Sequence, residues 1–78
     1  MLKKTEKLVI TFHTTTEAMA MEAVCKELSA EGRLIPVPRA ISAGCGLAWC
    51  AGLESEETLN ALMAARGITC QGIHHCLV

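Results

Sequence analysis

Aromatic side chains are nearly missing from this 78-residue chain: Phe12 and Trp49 are the only two, and tyrosine is absent. With so few rings there is no platform on which successive bases stack, which removes a common means of holding single-stranded nucleic acid. An excess of either charge is lacking too. Seven Lys and Arg stand against eight Glu, with no Asp, for a net charge of −1. No basic stripe is left for phosphate backbones or an anionic membrane surface, so neither nucleic acid nor membrane is an expected partner. No apolar run reaches the roughly 18 residues that suggest a membrane span. The charged start, Met1 to Lys7, leads into an alternating segment rather than a continuous apolar stretch with a cleavage site, so no signal peptide is expected.

The cysteines also speak through what is missing. There are five, an odd number, and no two are spaced as CxxC. That spacing is the mark of zinc ribbons and thioredoxin-type redox sites. Without an export signal the expected location is the cytoplasm, where thiols stay reduced, and a disulfide scaffold is not expected. No glycine-rich phosphate loop, serine triad pattern or HExxH is present. A chain of this length builds one domain, here residues 1–78, around a single core, which leaves no room for a large bound cofactor. With hydrophobic residues at 51% and aromatics at 3%, that core has to be made of Ala, Leu, Ile, Val and Met.

What is present reads as alternating strands and helices. Lys7 to Phe12 alternates, with Leu8, Ile10 and Phe12 on one face, as in a half-buried strand. Thr14 followed by Glu17 is a capping-box pattern and predicts a helix to about Glu31, stopped by Gly32. Ala18, Met21, Val24, Cys25 and Leu28 recur at helical spacing and are expected to face a sheet. Arg33 to Val37 reads as a second strand and Gly46 to Ala51 as a third. A second helix follows Leu53 to Ser55, with Leu59, Leu62 and Met63 buried, Glu56 and Glu57 complementing its N-terminal dipole, and Gly67 at its end. Ile73 to Val78 forms a last strand after a kink at Gly72. The order βαββαβ predicts an α+β ferredoxin-like sandwich, a four-stranded antiparallel sheet with two helices on one face.

Between the second and third strands lies the most informative segment, Pro36-Val37-Pro38-Arg39-Ala40-Ile41-Ser42-Ala43-Gly44-Cys45, closed by Gly46. Two prolines stiffen the lead-in because each fixes φ and removes a backbone donor. Gly44 and Gly46 permit a sharp turn and leave the thiol between them uncovered. Among the five cysteines only Cys45 has neighbours that favour access over burial. The plainer reading is that Cys45 is a small loop residue and the glycines only shape the hairpin. In the predicted topology this loop shares a sheet edge with His13, Thr14 to Thr16 and Cys70. Strands about 4.8 Å apart put Cys70 roughly 10 Å from Cys45, beyond the roughly 7 Å limit for a disulfide. A single working cysteine therefore fits better than a dithiol pair.

The run Arg33-Leu34-Ile35-Pro36-Val37-Pro38-Arg39, then Ile41-Ser42 and Cys45-Gly46-Leu47-Ala48, resembles the selenium/sulfur carrier-like family of small bacterial proteins. Ile10 to Thr15 followed by an alanine-rich helix resembles the start of the same family. The resemblance implies that Cys45 accepts a chalcogen from a donor protein and passes it to an acceptor protein. It also implies a carrier more than a turnover enzyme. A thiolate that holds a persulfide or selenium adduct needs exposure and positive potential, which Arg39 and the first helix's N-terminus can supply. Ser42, the backbone at Gly44 and Gly46, His13 and Thr14 are the candidate supporting groups.

Two other readings stand beside it. One is a noncatalytic ferredoxin-like binding or oligomerisation module, whose edge strands would let it form a homodimer. The other is a soft-metal chaperone using Cys70, His74, His75 and Cys76, since thiol and imidazole suit zinc or copper. In an extended strand His74 and Cys76 share a face while His75 points to the other, which divides that cluster. No metal or cofactor is assigned on the sequence.

Overall fold

The computed structural model describes residues 5–38, 41 and 46–77. In chain order the elements are β1 (Glu6–Thr11), α1 (Thr15–Leu28), β2 (Arg33–Pro36), β3 (Leu47–Ala51), α2 (Glu56–Arg66), entered through a short 3-10 turn at Leu53–Ser55, and β4 (Gly72–Leu77). The strands form one antiparallel sheet in the order β2-β3-β1-β4. This is the α+β ferredoxin-like fold that the pattern of elements predicts. Val78, the expected end of the last strand, lies outside the described residues.

β1 is the centre of the sheet. Leu8 faces Ala51 of β3 on one side and His75 of β4 on the other, and Thr11 faces Ala48 and Gly72. Alternation predicts one buried face, and Leu8, Ile10 and Phe12 do enter the core with Met21, Trp49 and Leu59. The opposite face is buried as well: Val9, Thr11 and Ala48 of β3 are closed to solvent. Val9 lies in register between Cys50 and His74, and Thr11 satisfies its buried hydroxyl by donating to the Gly72 carbonyl at 3.3 Å. A central strand flanked on both sides is covered by its neighbours' side chains, which hydrophobic period alone does not report.

α1 begins as its sequence dictates. Thr14 is extended at the N-cap, and its Oγ1 accepts the Glu17 backbone N–H at 3.2 Å. The helix ends earlier than the expected Glu31. Ser29 turns left-handed, with φ 56°, and the Ala30 N–H donates to the Cys25 carbonyl at 2.8 Å, a Schellman-type stop. That turn brings Ala30 against the core. Leu28, an expected core residue, is instead 49% exposed, because burial along the helix ends at Cys25.

Gly32 is therefore not the helix stop. It has φ 124°, and a Cβ there would collide with the indole of Trp49 and the carbonyl of Cys50. The chain passes so close that the Trp49 Nε1–H donates to the Glu31 carbonyl at 3.2 Å. α2 follows expectation, burying Leu59, Leu62 and Met63 and ending at left-handed Gly67. β4 alternates as read: Gly72, His74 and Cys76 are half-buried, while Ile73, His75 and Leu77 on the helix side are exposed.

Two glycines give a direct test of this packing. Gly32→Ala adds steric collision to an unfavourable φ and should lower unfolding free energy by about 2 kcal/mol or more. Gly67→Ala meets open space and should cost only about 1 kcal/mol, from its left-handed φ. Urea denaturation of both variants measures the difference. Equal losses would contradict the packing of Trp49 over Gly32.

Candidate functional site

The end of β1, the start of α1 and the lead-in to β4 converge at one edge of the sheet. The Gln71 N–H donates to the Thr11 carbonyl at 2.7 Å, pinning the entry to β4 beside the end of β1. On the other flank β3 pairs Ala48 with Thr11, so Gly46, two residues earlier, falls beside His13 in the continued register. The Val37 N–H donates to the Gly46 carbonyl at 3.0 Å and closes the β2–β3 hairpin there. Gly46 has φ 78°, a left-handed turn that glycine adopts without Cβ strain.

Of the predicted site residues, His13, Thr14 and Gly46 are thus brought to one edge. Cys45, Arg39, Ser42 and Gly44 lie outside the described residues. Thr14 is engaged as the helix cap through its oxygen lone pair, which leaves its O–H as a donor. His13 is 62% exposed at its side chain, with Nδ1 3.9 Å from Glu17 Oε1.

Glu17 is the group that the sequence undervalues. Beyond the capping pattern, its Oε1 accepts the His13 backbone N–H at 3.2 Å and its Oε2 accepts the Thr69 hydroxyl at 2.6 Å. It therefore ties the start of α1 to the approach to β4. The Thr69 hydrogen bond outweighs the opposing effect of desolvation and, with lesser help from the His13 and Thr14 backbone, holds this carboxyl below its ordinary range. A hydroxyl one residue before Cys70 is the signal for it, but only the tertiary fold places Thr69 against α1. The helix N-terminus, expected to contribute positive potential, thus carries a fixed negative charge of its own.

The four described cysteines are free thiols. Cys25 is buried in the core, and desolvation pushes its thiol up. Cys70 packs against the core at the candidate edge; burial pushes its thiol up, and the nearby Glu17 carboxylate adds to the shift. Cys50 and Cys76 are half-buried on the sheet face away from the helices. The C-terminal cluster is divided as the strand period implies. His75 Nε2 lies 2.8 Å from Glu56 Oε1 on the helix side, whereas His74 and Cys76 face the other way. Among the described residues no three His, Cys, Asp or Glu side chains gather around a common point suited to a metal ion. No described helix is long and apolar enough to cross a membrane.

The chain belongs to the family described as "Putative Se/S carrier protein-like", whose model matches residues 7–75, from β1 into β4 and through the whole Cys45 loop. No curated protein and no solved structure matches it.

The Glu17 bonds carry a pH dependence. A carboxyl whose pKa is lowered by folding stabilises the native state above its unfolded pKa and loses that contribution as pH falls through the folded value. Wild type should therefore be more stable than Glu17→Gln near neutral pH, with the gap closing as both are taken below the ordinary carboxylate range. Denaturant midpoints across a pH series measure this, and a gap that is constant with pH would contradict it.

Proposed function

We propose that this protein is a single-cysteine chalcogen carrier, with Cys45 as the carrying residue. The observation that carries the reading is the family match, which spans the loop containing Cys45 and not merely the sheet. Two of the other thiols support it by contrast: folding disfavours the thiolate, the form that attacks sulfur, at Cys25 and Cys70.

The transfer is a thiol exchange without net redox change. The Cys45 thiolate attacks the outer sulfur of a donor persulfide; a Cys45 S–S bond forms, the donor's S–S bond breaks, and the donor leaves as a thiolate. A selenium adduct moves by the same substitution. The acceptor's nucleophile then takes the terminal atom and returns Cys45 to a thiolate. Arg39 supplies positive charge to the thiolate. Ser42, the backbone at Gly44 and Gly46, and the donors of His13 and Thr14 hydrogen-bond the bound chalcogen. The partners are donor and acceptor proteins, the setting is the cytoplasm, and no cofactor takes part.

Competition alkylation tests the assignment. Cys45 should label fastest of the five cysteines near neutral pH, and Arg39→Ala should slow it several-fold without unfolding the domain, since a thiol near its ordinary pKa of about 8.5 gains thiolate steeply with each unit of downward shift. Cys45→Ser should abolish persulfide loading and leave stability nearly unchanged. Labelling at Cys45 no faster than at Cys25, or a serine variant that still loads at wild-type stoichiometry, would overturn the reading in favour of a docking module.

The same reading includes a homodimer formed by strand pairing. β2 and β4 are the sheet edges, and β4 carries exposed Ile73 and Leu77 with no Lys, Arg, Glu or Pro to discourage pairing. Sedimentation should show a mass that rises with concentration and falls on Leu77→Lys. A monomer mass at all concentrations would remove the dimer from the account.

A further inference from the structure

At the end of the sheet remote from Gly46, a groove of about 310 Å³ opens where β1 begins, β2 begins and β3 ends. Its lining includes Lys7, Glu31, Arg33 and Cys50, with Gly32 and Gly52 between them. The register shows why these side chains meet. Arg33 is the cross-strand partner of Cys50 on β2, and Val9 is its partner on β1. Lys7, two residues before Val9, returns to the same face, so the Cys50 thiol has a cation on each flank.

Among the described residues neither cation is held in an ion pair. The ion pairs among the described residues join His13 to Glu17, Arg66 to Glu27 and His75 to Glu56, and none involves Lys7 or Arg33. Glu31, the carboxylate in the lining, accepts the Ser55 hydroxyl. Glu54 lies against Gly52 and belongs to a neighbouring groove with Glu56 and Glu57, which is of opposite charge. A groove with two cations outside any ion pair and a free thiol between them matches a small anion that itself carries sulfur.

We propose that this groove binds carboxylate-bearing low-molecular-weight thiols, of which glutathione is the representative, and that Cys50 forms a mixed disulfide with them. Arg33 and Lys7 pair the ligand's carboxylates and hold its sulfur against Cys50. The oxidant is the ligand's own disulfide. Cys50 loses its proton to water, its sulfur attacks one sulfur of glutathione disulfide, the protein–glutathione S–S bond forms as the original S–S bond breaks, and one glutathione thiolate leaves and is protonated. The Cys50 sulfur is oxidised by the amount that the departing half is reduced. This site does not depend on the carrier role of Cys45, and cleavage after Leu47 or Trp49 puts the two cysteines on separate peptides, so one can fail without the other.

The test treats the full chain with glutathione disulfide or with neutral hydroxyethyl disulfide, and locates each adduct by peptide mass mapping over time. Cys76 is an internal control, since it is the register partner of Lys7 on the same face but is not part of the groove lining. Glutathione should reach Cys50 faster than Cys76. The double substitution Lys7→Gln with Arg33→Gln should lower the glutathione rate at Cys50 about five-fold at low ionic strength, an advantage that high salt also removes. It should leave the neutral disulfide's rate unchanged. Arg33→Lys, which keeps the charge, should retain most of the wild-type rate and covers the case in which the double variant folds poorly. Absence of an adduct at Cys50, a faster adduct at Cys76, or a glutathione rate indifferent to both substitution and salt would overturn the proposal.

Discussion

The structure depends on one constraint: β1 is hydrogen-bonded on both edges and buried on both faces. Its four consecutive closed residues, Leu8 to Thr11, followed by buried Phe12, leave it a single register against β3 and β4, because a one-residue slip would turn Leu8, Ile10 and Phe12 away from the helices. Everything else takes its position from that register. It sets Trp49 beside Ile10, where the indole can lie over Gly32, and it sets Gly46 and Gln71 on either side of the strand's end. The burial of Val9 and Thr11 makes the helix-free side of the sheet a packed surface as well, with the groove at Cys50 at one end of it.

The two ends of β1 differ in electrostatic character. At its C-terminal end Glu17 joins the α1 cap to Thr69, so the candidate carrier edge is organised around a carboxylate. A thiolate brought to that edge is opposed by this charge, which adds to the upward shift that burial gives Cys70, and needs a cation of its own. That requirement gives Arg39 a physical purpose in the proposed carrier. At the N-terminal end Lys7 and Arg33 stand outside the ion pairs of the described residues.

The sequence is legible wherever the determinant is local. The Thr14–Glu17 cap, the stripe of Ala18, Met21 and Cys25, the buried face of α2 and the alternation of β4 all follow from spacing and propensity, and together they yield the element order and hence the fold. Legibility is lost where a distant neighbour decides. Ser29 adopts a left-handed stop that glycine usually supplies, so the helix ends before Gly32 and Leu28 stays outside. Gly32 is required by Trp49, eighteen residues away from the Glu31 carbonyl it bonds, and no local pattern records that. Glu17 reads as a cap, and its second partner, Thr69, is 52 residues away. For the candidate site, the family resemblance carried by the loop motif agrees with the family match, and the register of β1 with β3 leads His13 and Gly46 to one edge. Arg39, Ser42, Gly44 and Cys45 lie outside the described residues, so their roles rest on sequence and family.

A carrier differs from a merely reactive thiol in giving up what it takes. The most direct measurement is therefore a single-turnover transfer: the protein is loaded from a persulfide donor, separated from it, and mixed with an acceptor thiol while the Cys45 peptide and the acceptor are followed by mass spectrometry. The account predicts one chalcogen per chain, located on Cys45, that passes quantitatively to the acceptor and leaves Cys45 as a free thiol. Chalcogen found on another cysteine, or retained on Cys45 in the presence of excess acceptor, would contradict it.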